Sequence, residues 1–412
     1  MVLNTSFTYK NDELYVDWVP VKKIIEAVGT PAYIYSFSQI LANYQAIQKA
    51  FARIQGHIRY SAKANANLSI LRFLIQQGAG IDTVSAGEIF RALEAGAKPE
   101  DIVFAGVGKR PDEIRYALEK GIGWFNVENV GELVHINRIA QELNLKSVQV
   151  ALRLNPEITA NTHPYIATGH GGAKFGLTET VIRDVLDHQS AYPNLHFRGL
   201  HIHIGSQLRD TTPTQKAVQK VVALADEYES IDTLNLGGGI PVAYRPDEIL
   251  PDAEAFVSAI EQDIKDYHIM IEPGRSIIAN TGILVSELIY IKKHAAQTFY
   301  IVDASMTELM RPALYQAYHH IAPVSIHNPQ TETVQIVGPV CETTDVLGTD
   351  RLLPFCEPGD LLAIFTAGAY GNVMASHYNA RTAPVEVAVD LSSEEWHIIR
   401  QRETWQDLIR GE

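Results

Sequence analysis

The strongest constraint on what this chain can fold into is a rhythm that runs from about residue 32 to about residue 275. Short apolar runs alternate there with amphipathic stretches. Eight strand candidates stand out: Ile58–Ala62, Gly80–Val84, Ile102–Ala105, Gly123–Val127, Val148–Leu154, Phe197–Ile204, Thr233–Leu236 and Ile269–Ile271. Between them lie seven patterns with apolar residues three and four apart, clearest at Ile89/Leu93, Ile114/Leu118, Val181/Val185 and Phe256/Ile260/Ile264. Gly78, Gly96 and Gly121 stop several of these. A strand at Ala32–Tyr35 and a helix at Ser38–Phe51 come first. Strand and helix in strict alternation require a parallel sheet, and eight units favour closure into a (β/α)8 barrel. An open doubly wound sheet is the runner-up, but no Gly-x-Gly-x-x-Gly directly follows a strand.

Outside this stretch the texture changes. Residues 6–18 read as two short strands around an Asn-Asp turn, and Val21–Val28 as a short helix ended by Gly29. Beyond Ala279 the runs Ile283–Ile291, Thr298–Val302, Val324–His327, Thr333–Val337, Leu361–Phe365 and Val385–Val389 are β-rich. A last helix is expected at Ile398–Ile409. The expected organisation is a barrel over residues 33–279 and an antiparallel β-domain built from residues 1–32 and 280–412.

With 34 Lys and Arg against 48 Asp and Glu, the net charge of −14 argues against nucleic acid or an anionic membrane surface as partner. Cys341 and Cys356 are the only cysteines, so neither a disulfide framework nor a zinc cluster is expected. The opening decapeptide lacks a basic segment followed by an apolar run, and no apolar run approaches a membrane span, so a cytoplasmic protein is expected.

Active sites of such barrels lie at the strands' C-terminal ends. Polar and glycine residues fall there in turn: Lys63 after the first strand, Asp82 and Ser85 at the second, Arg153 at the fifth, and His203, Gly205 and Ser206 at the sixth. Gly237, Gly238 and Gly239 end the seventh strand, and Glu272, Gly274 and Arg275 the eighth. Lys63, bracketed by Ala62 and Ala64, suits imine chemistry if burial disfavours its ammonium. The glycine run is either a tight turn or a nest of backbone N–H groups for an anion. Glu272, buried at a strand end, needs a cation, either Arg275 or a protonated pyridine nitrogen. His201 and His203 share a face, but no third metal ligand is placed by spacing, so no metal is expected and ring stacking suits His203 better. Lysine, anion cradle, carboxylate and imidazole together are the parts that hold pyridoxal phosphate. Asp82, Arg153 and Ser206 join them as cofactor-binding candidates. Cys341 with Glu342 after a Gly-Pro turn is either a buried small residue beside a solvated acid or a functional pair; Cys356 reads as structural.

These motifs resemble the diaminopimelate decarboxylases, a family of pyridoxal-phosphate decarboxylases with an alanine-racemase-like fold. Tyr60-Ser-Ala-Lys-Ala-Asn65, His201-Ile-His-Ile-Gly-Ser-Gln207, Gly237-Gly-Gly239, Glu272-Pro-Gly-Arg275, Gly338-Pro-Val-Cys-Glu342 and Gly368-Ala-Tyr370 carry the likeness, in the family's order. Ornithine and arginine decarboxylases share these core motifs. Thr162–Ile166 with Thr168-Gly169, and Arg311-Pro-Ala-Leu-Tyr315 with Tyr318-His319, resemble the diaminopimelate branch.

The resemblance implies that Lys63 links covalently to the cofactor, His203 stacks on its ring and Glu272 pairs with its ring nitrogen. Gly237–Gly239, Gly274 and Tyr370 would serve the phosphate. Arg275, Arg311 and Tyr315, with Tyr370 beside them, would meet the substrate's distal carboxylate, and Glu342 its distal ammonium. Cys341 would help deliver the proton that replaces the lost carboxyl group. The implied reaction is meso-2,6-diaminopimelate to L-lysine and carbon dioxide, in a homodimer whose β-domains complete each other's sites. A decarboxylase of another basic amino acid or polyamine precursor is the alternative, followed by a catalytically silent relative; intact Lys63, Glu272 and Cys341 argue against the latter. Pro241 and Ala173 depart from the family pattern, which expects glycine and serine there.

Overall fold

The computed structural model describes residues 5–158, 168–169, 172–264, 267–295, 297–391 and 395–412. Two compact units emerge. One holds residues 44–241 and 250–274, and the other holds residues 1–43, 242–249 and 275–412.

The first unit is a closed barrel of eight parallel strands: β1 (Gly56–Ser61), β2 (Gly80–Thr83), β3 (Ile102–Phe104), β4 (Trp124–Val127), β5 (Val148–Leu154), β6 (Leu195–Ile202), β7 (Thr233–Asn235) and β8 (His268–Ile271). Neighbours in sequence are neighbours in the ring, and β8 closes onto β1 with Met270 opposite His57. Among the described residues seven α-helices connect them, as the periodicity predicts. Asn67, Ser85, Asn129, Thr178 and Asp252 each accept a hydrogen bond from a backbone N–H in the first turn of the helix that follows. Such caps contribute about 1 kcal/mol each and fix where the chain leaves the strand end.

Successive strand residues point to opposite faces, so every second residue lines the barrel. Val103, Trp124 and Ala151 form a buried apolar cluster there, with Met270 packed against it. Gly199, at a register shift in β6, makes room for the indole: a Cβ on it would lie 2.6 Å from Trp124 Cζ2. One rung further along, the lining turns polar, with Ser61, Asp82, Asn126, Arg153, His201, Asn235 and, just past β8, Glu272, all buried.

The second unit carries a nine-stranded sheet. Its main path runs Val346–Phe355, Asn328–Val337, Gln297–Val302, Gly282–His294, Ala32–Ser36, Val385–Val389 and Trp396–Arg400. Most pairings are antiparallel, and two are parallel. The N-terminal meander Phe7–Lys10, Glu13–Val16 and Val19–Pro20 packs with the helix Val21–Val28 against this sheet. Its Phe7, Leu14 and Val16 share one core with Ile283, Phe365 and Val387.

Three expectations need correction. The strand Ala32–Ser36 does not open the barrel; it pairs with Gly282–His294 and Val385–Val389, with all five of its residues buried. The division between units accordingly falls near residue 43, and Arg275 parts from Glu272. The expected helix Ile398–Ile409 is a strand, Trp396–Arg400, followed by a short helix, Trp405–Leu408. The open edge of Val385–Val389 recruits the β-branched Ile398 and Ile399, and Thr404 caps the helix only afterwards. The run Val324–His327 is not a strand; the pairing segment is Ile321–Pro323, and Val346–Phe355 is a strand that pattern reading missed.

Candidate active site

Glu272 is the centre of the barrel's polar layer. It follows β8, and its backbone N–H donates to the Gly237 carbonyl at 2.7 Å. Its Oε1 accepts from Asn126 Nδ2 at 2.8 Å and from Asn235 Nδ2 at 2.6 Å. His201 Nε2 stands 3.4 Å from Oε2, within ion-pair reach but without the alignment of a hydrogen bond. Burial pushes the Glu272 carboxyl towards its neutral form. The nearby His201 and Lys63 charges and the Asn235 bond outweigh it, so the group sits well below the usual carboxylate range. Asp82 goes the other way. Burial and the Glu272 charge raise it, against the opposing pull of Lys63 and Ser61. Two carboxyl groups pushed apart in this manner take different protonation states at one pH.

Lys63 lies on a short turn past β1, between the buried Ala62 and Ala64. Its Nζ is 3.3 Å from Asp82 Oδ2, and its side chain is 40% exposed, more open than the desolvated amine expected from sequence. Gly274 packs under this turn, where a Cβ would meet Ala64 and Ser61 Cβ at 3.0 Å. Ser61 Oγ, 2.7 Å from Asp82 Oδ2 and 3.0 Å from the Glu272 carbonyl, ties the first and last strand ends together.

The glycine run is required by crowding. A Cβ at Gly237 would lie 2.6 Å from the Ile202 carbonyl, at Gly238 2.6 Å from the Glu272 carbonyl, and at Gly239 2.6 Å from Leu208 Cδ1. Gly237 and Gly239 also adopt positive φ, +66° and +121°. Gly237 N donates to Asn235 Oδ1 at 3.0 Å, which orients the amide that serves Glu272. Gly238 N donates to His203 Nδ1 at 3.1 Å. A ring nitrogen that accepts is unprotonated, and burial together with the Arg153 and Lys63 charges keeps His203 neutral, far below its ordinary range. Arg153 Nη1 donates to Glu128 Oε1 at 2.9 Å, and its Nη2 is 3.4 Å from the His203 carbonyl.

The β-rich unit gathers a second set. Arg275 Nη1 donates to Tyr244 Oη at 2.7 Å, and its guanidinium lies 4.9 Å from the Tyr370 ring centre. Arg311 lies 4.6 Å from the Tyr244 ring centre and 2.9 Å from His319 Nε2. His319 Nδ1 is 2.9 Å from the Phe365 carbonyl, so it donates there and leaves Nε2 to accept from Arg311. Burial and the Arg311 charge hold His319 neutral. Burial raises the Tyr244 hydroxyl, but the two guanidiniums more than reverse it, to a net lowering.

A family model for pyridoxal-dependent decarboxylases, covering their pyridoxal binding domain, matches residues 37–279. Diaminopimelate decarboxylase of Neisseria meningitidis serogroup A is 42% identical over 405 residues, covering 97% of this chain and 98% of that protein. The chain belongs to the diaminopimelate decarboxylase family. Solved structures agree. The Helicobacter pylori diaminopimelate decarboxylase in complex with L-lysine is 40% identical with a TM-score of 0.90, covering 94% of this chain and 98% of that one. The M. jannaschii diaminopimelate decarboxylase with L-lysine is 37% identical with a TM-score of 0.93, covering 99% and 98%.

The structure thus brings Lys63, Asp82, His203, Gly237–Gly239, Glu272 and Gly274 to one barrel mouth. Arg153 lies beneath His203 in an ion pair with Glu128, and Ser206 is half-buried on the loop after β6. Arg275, Arg311 and Tyr370 group in the other unit, with Tyr315 half-buried at the end of the helix Arg311–Tyr315. Cys341 and Glu342 are exposed on a loop pinned by Asp345, which accepts from Met306 N and Val340 N. Glu342 Oε1 accepts from Tyr378 Oη at 2.6 Å. Of the family's motifs, residues 162–166 lie outside the described residues, whereas Thr168 Oγ1 donates to the His203 carbonyl at 2.8 Å. Pro241 is buried beyond the glycine run; nothing in the structure explains Ala173.

Sequence reasoning missed Asn126, Glu128, Asn235, Tyr244 and His319 as site residues. A lone Asn at lining parity in an apolar strand is a readable signal for Asn126 and Asn235. Tyr244 sits in a loop with no periodicity to mark it.

Asn235→Leu removes one of the two amide donors to Glu272 and should cost about 1–3 kcal/mol. A carboxyl group depressed in the folded state stabilises fully above the unfolded value, about 4.3, and loses that contribution as pH falls towards the folded one. Because wild type and variant share one unfolded state, the Asn235→Leu deficit in denaturant midpoint, measured on cofactor-free protein, should stay full from neutral pH down through about pH 4 and shrink only in stronger acid, once the folded variant takes up the Glu272 proton. A deficit already lost between neutral pH and about pH 5 would mean that Glu272 is not the charged group.

Proposed function

We propose that this chain decarboxylates meso-2,6-diaminopimelate to L-lysine and carbon dioxide, with pyridoxal 5′-phosphate held at the barrel mouth. One observation carries the reading: an accessible lysine amine, a carboxylate kept charged and a glycine run that leaves no room for side chains converge on one layer of the barrel. That donor set fits a ligand with an aldehyde, a basic ring nitrogen and a phosphate. When bound, the cofactor supplies a conjugated ring that accepts the electron pair left at the substrate's α-carbon as carbon dioxide departs.

The chain's own residues divide the remaining work. Lys63 anchors the cofactor covalently. Glu272, ionised by its surroundings, would hold a proton at the ring nitrogen. Neutral His203 packs against the ring without adding a competing cation. The chain at Gly237–Gly239 and Gly274, with Tyr370, would receive the phosphate, Gly237 and Gly238 by leaving room for close approach, since their N–H groups are given to Asn235 Oδ1 and His203 Nδ1. Asp82, Arg153 and Ser206 would support the cofactor's surroundings. At the distal end, Arg275, Arg311 and Tyr315, with Tyr370 alongside, receive a carboxylate that neither ornithine nor arginine possesses there, and Glu342 receives the ammonium. A site built for a charged group rejects analogues that leave it unpaired. Loss of the carboxyl group consumes one proton, and Cys341 is assigned to deliver it.

Because Cys341 and Glu342 are exposed in the single chain, they suit a homodimer in which each β-domain completes its neighbour's site. An isologous interface makes two equivalent shared sites. A cytoplasmic setting suits a biosynthetic enzyme of this kind; no described helix is long and apolar enough to cross a membrane.

Purified protein with pyridoxal phosphate, offered diaminopimelate, ornithine and arginine separately, should release lysine and carbon dioxide in equal amounts from the first and turn over the others far more slowly. Arg311→Leu should lower kcat/KM for diaminopimelate by the equivalent of about 2–5 kcal/mol. Comparable turnover of ornithine, or an unaffected Arg311→Leu enzyme, contradicts the assignment.

Lys63→Ala and Cys341→Ala should each be nearly inactive. Mixed, dissociated and reassembled, they should regain about a quarter of the wild-type sites under random pairing. No recovery from mixed dimers shown to have formed would place Lys63 and Cys341 in one chain's site.

A further inference from the structure

Lys109 and Glu132 form a buried ion pair to which none of these roles refers. Their side chains are 1% and 3% exposed, and Nζ lies 2.6 Å from Oε1. They approach the C-terminal end of β4 from two elements: Lys109 from the loop after β3, Glu132 from the first turn of the helix Val130–Glu142. The ammonium's three protons meet three acceptors, Glu132 Oε1, the Gly106 carbonyl at 2.9 Å and the Asn126 carbonyl at 2.6 Å. Glu132 Oε2 accepts from Glu128 N at 3.1 Å. One pair thus holds the backbone of residues 126 and 128, on either side of Val127. The side chains of those two residues serve the barrel mouth: Asn126 donates to Glu272, and Glu128 accepts from Arg153 and from Gly176 N.

We propose that Lys109 and Glu132 are positioning residues for the decarboxylation, setting the Asn126 amide and the Glu128 carboxylate that orient Glu272 and Arg153. The proposal rests on the decarboxylase reading and deepens it. Its decisive contrast lies between the two amides on Glu272. Asn235 is locked from behind by the Gly237 N–H on its Oδ1, whereas Asn126 Oδ1 is buried with no hydrogen-bond partner among the described residues. Beyond the strand ladder, which sets Asn126 opposite Ala151 on β5, and beyond Glu272 itself, the polar contact the structure adds at Asn126 is the Lys109 bond to its carbonyl. Stability alone is a poor reason for such a pair, because apolar residues of similar volume usually stabilise a buried site as well or better. A displacement of about 1 Å among supporting residues can cost about a hundredfold in rate.

The test uses holoenzyme. Single substitutions leave a lone buried charge and are expected to fold poorly, so the variant of choice is Lys109→Met/Glu132→Leu. A second, Lys109→Met/Glu132→Gln, retains an oxygen for Glu128 N and an amide that can donate towards the carbonyls Lys109 held. Arg198→Met/Asp232→Leu, which removes an ion pair at the other end of the barrel, is the control. Denaturant midpoint, kcat, KM and the pH titration of the cofactor's visible absorbance are measured for each. The Met/Leu variant should lose about ten- to a hundredfold in kcat, with KM within about threefold of wild type and a displaced absorbance titration. The Met/Gln variant should recover part of both, and the control neither. Wild-type kcat and titration in the Met/Leu variant, an equal loss in the control, or failure of both Lys109 variants to fold overturns the proposal. A wild-type protein that makes no lysine overturns the decarboxylase reading instead, and that result is seen before any variant is compared.

Discussion

A charged carboxylate at the closed heart of a barrel is the interaction on which the rest of this site depends. Taking such a group out of water costs several kcal/mol, on the order of the protein's whole stability margin, unless neighbours replace its hydration. Here the neighbours come from separate strands. Asn235 arrives on β7, the strand beside β8, and His201 on β6, while Asn126 arrives on β4 from across the ring and reaches Glu272 only because the strands close. Barrel closure therefore completes the set of groups that replaces the carboxylate's hydration. The same network extends outward, because the Asn235 amide that donates to Glu272 also fixes Gly237, and Gly238 fixes the His203 tautomer. The glycine run, the imidazole and the carboxylate form a single hydrogen-bonded unit, with Lys63 and Asp82 at its edge.

The β-rich unit solves a different problem, which is to keep two guanidiniums close together. Arg275 and Arg311 share Tyr244, one by hydrogen bond and the other over the ring face, and a neutral His319 accepts from Arg311. Aromatic faces and a neutral imidazole hold cations without discharging them. The pair therefore keeps its positive charge, which is what the proposed reading needs at a substrate's distal carboxylate.

Much of this was legible in the amino-acid order, and the reason is periodicity. Eight apolar runs at βα spacing favour a barrel because eight such units close on themselves readily, and the polar residues at the ends of those runs mark its mouth. Where periodicity stops, so does legibility. Ala32–Ser36 has the composition of a barrel strand, and only its partners, far away in sequence, assign it to the other sheet. Trp396–Arg400 carries helical spacing in isolation and becomes a strand because an unpaired edge is available. Asn126 and Asn235 are single polar residues whose importance comes from a carboxylate a hundred and more, or nearly forty, positions away. Tyr244 acts from a loop, and no local pattern sets it apart.

The most direct test of this account is spectroscopic and needs no substrate. Infrared difference spectra between the wild-type protein and Glu272→Gln, recorded without cofactor from neutral pH down to about pH 5, report the protonation state of that one side chain. The account predicts that the lost bands are those of an ionised carboxylate throughout the range. A lost band of a protonated carboxylic acid at neutral pH would contradict it, and the barrel mouth would then have no fixed negative charge to offer a ring nitrogen.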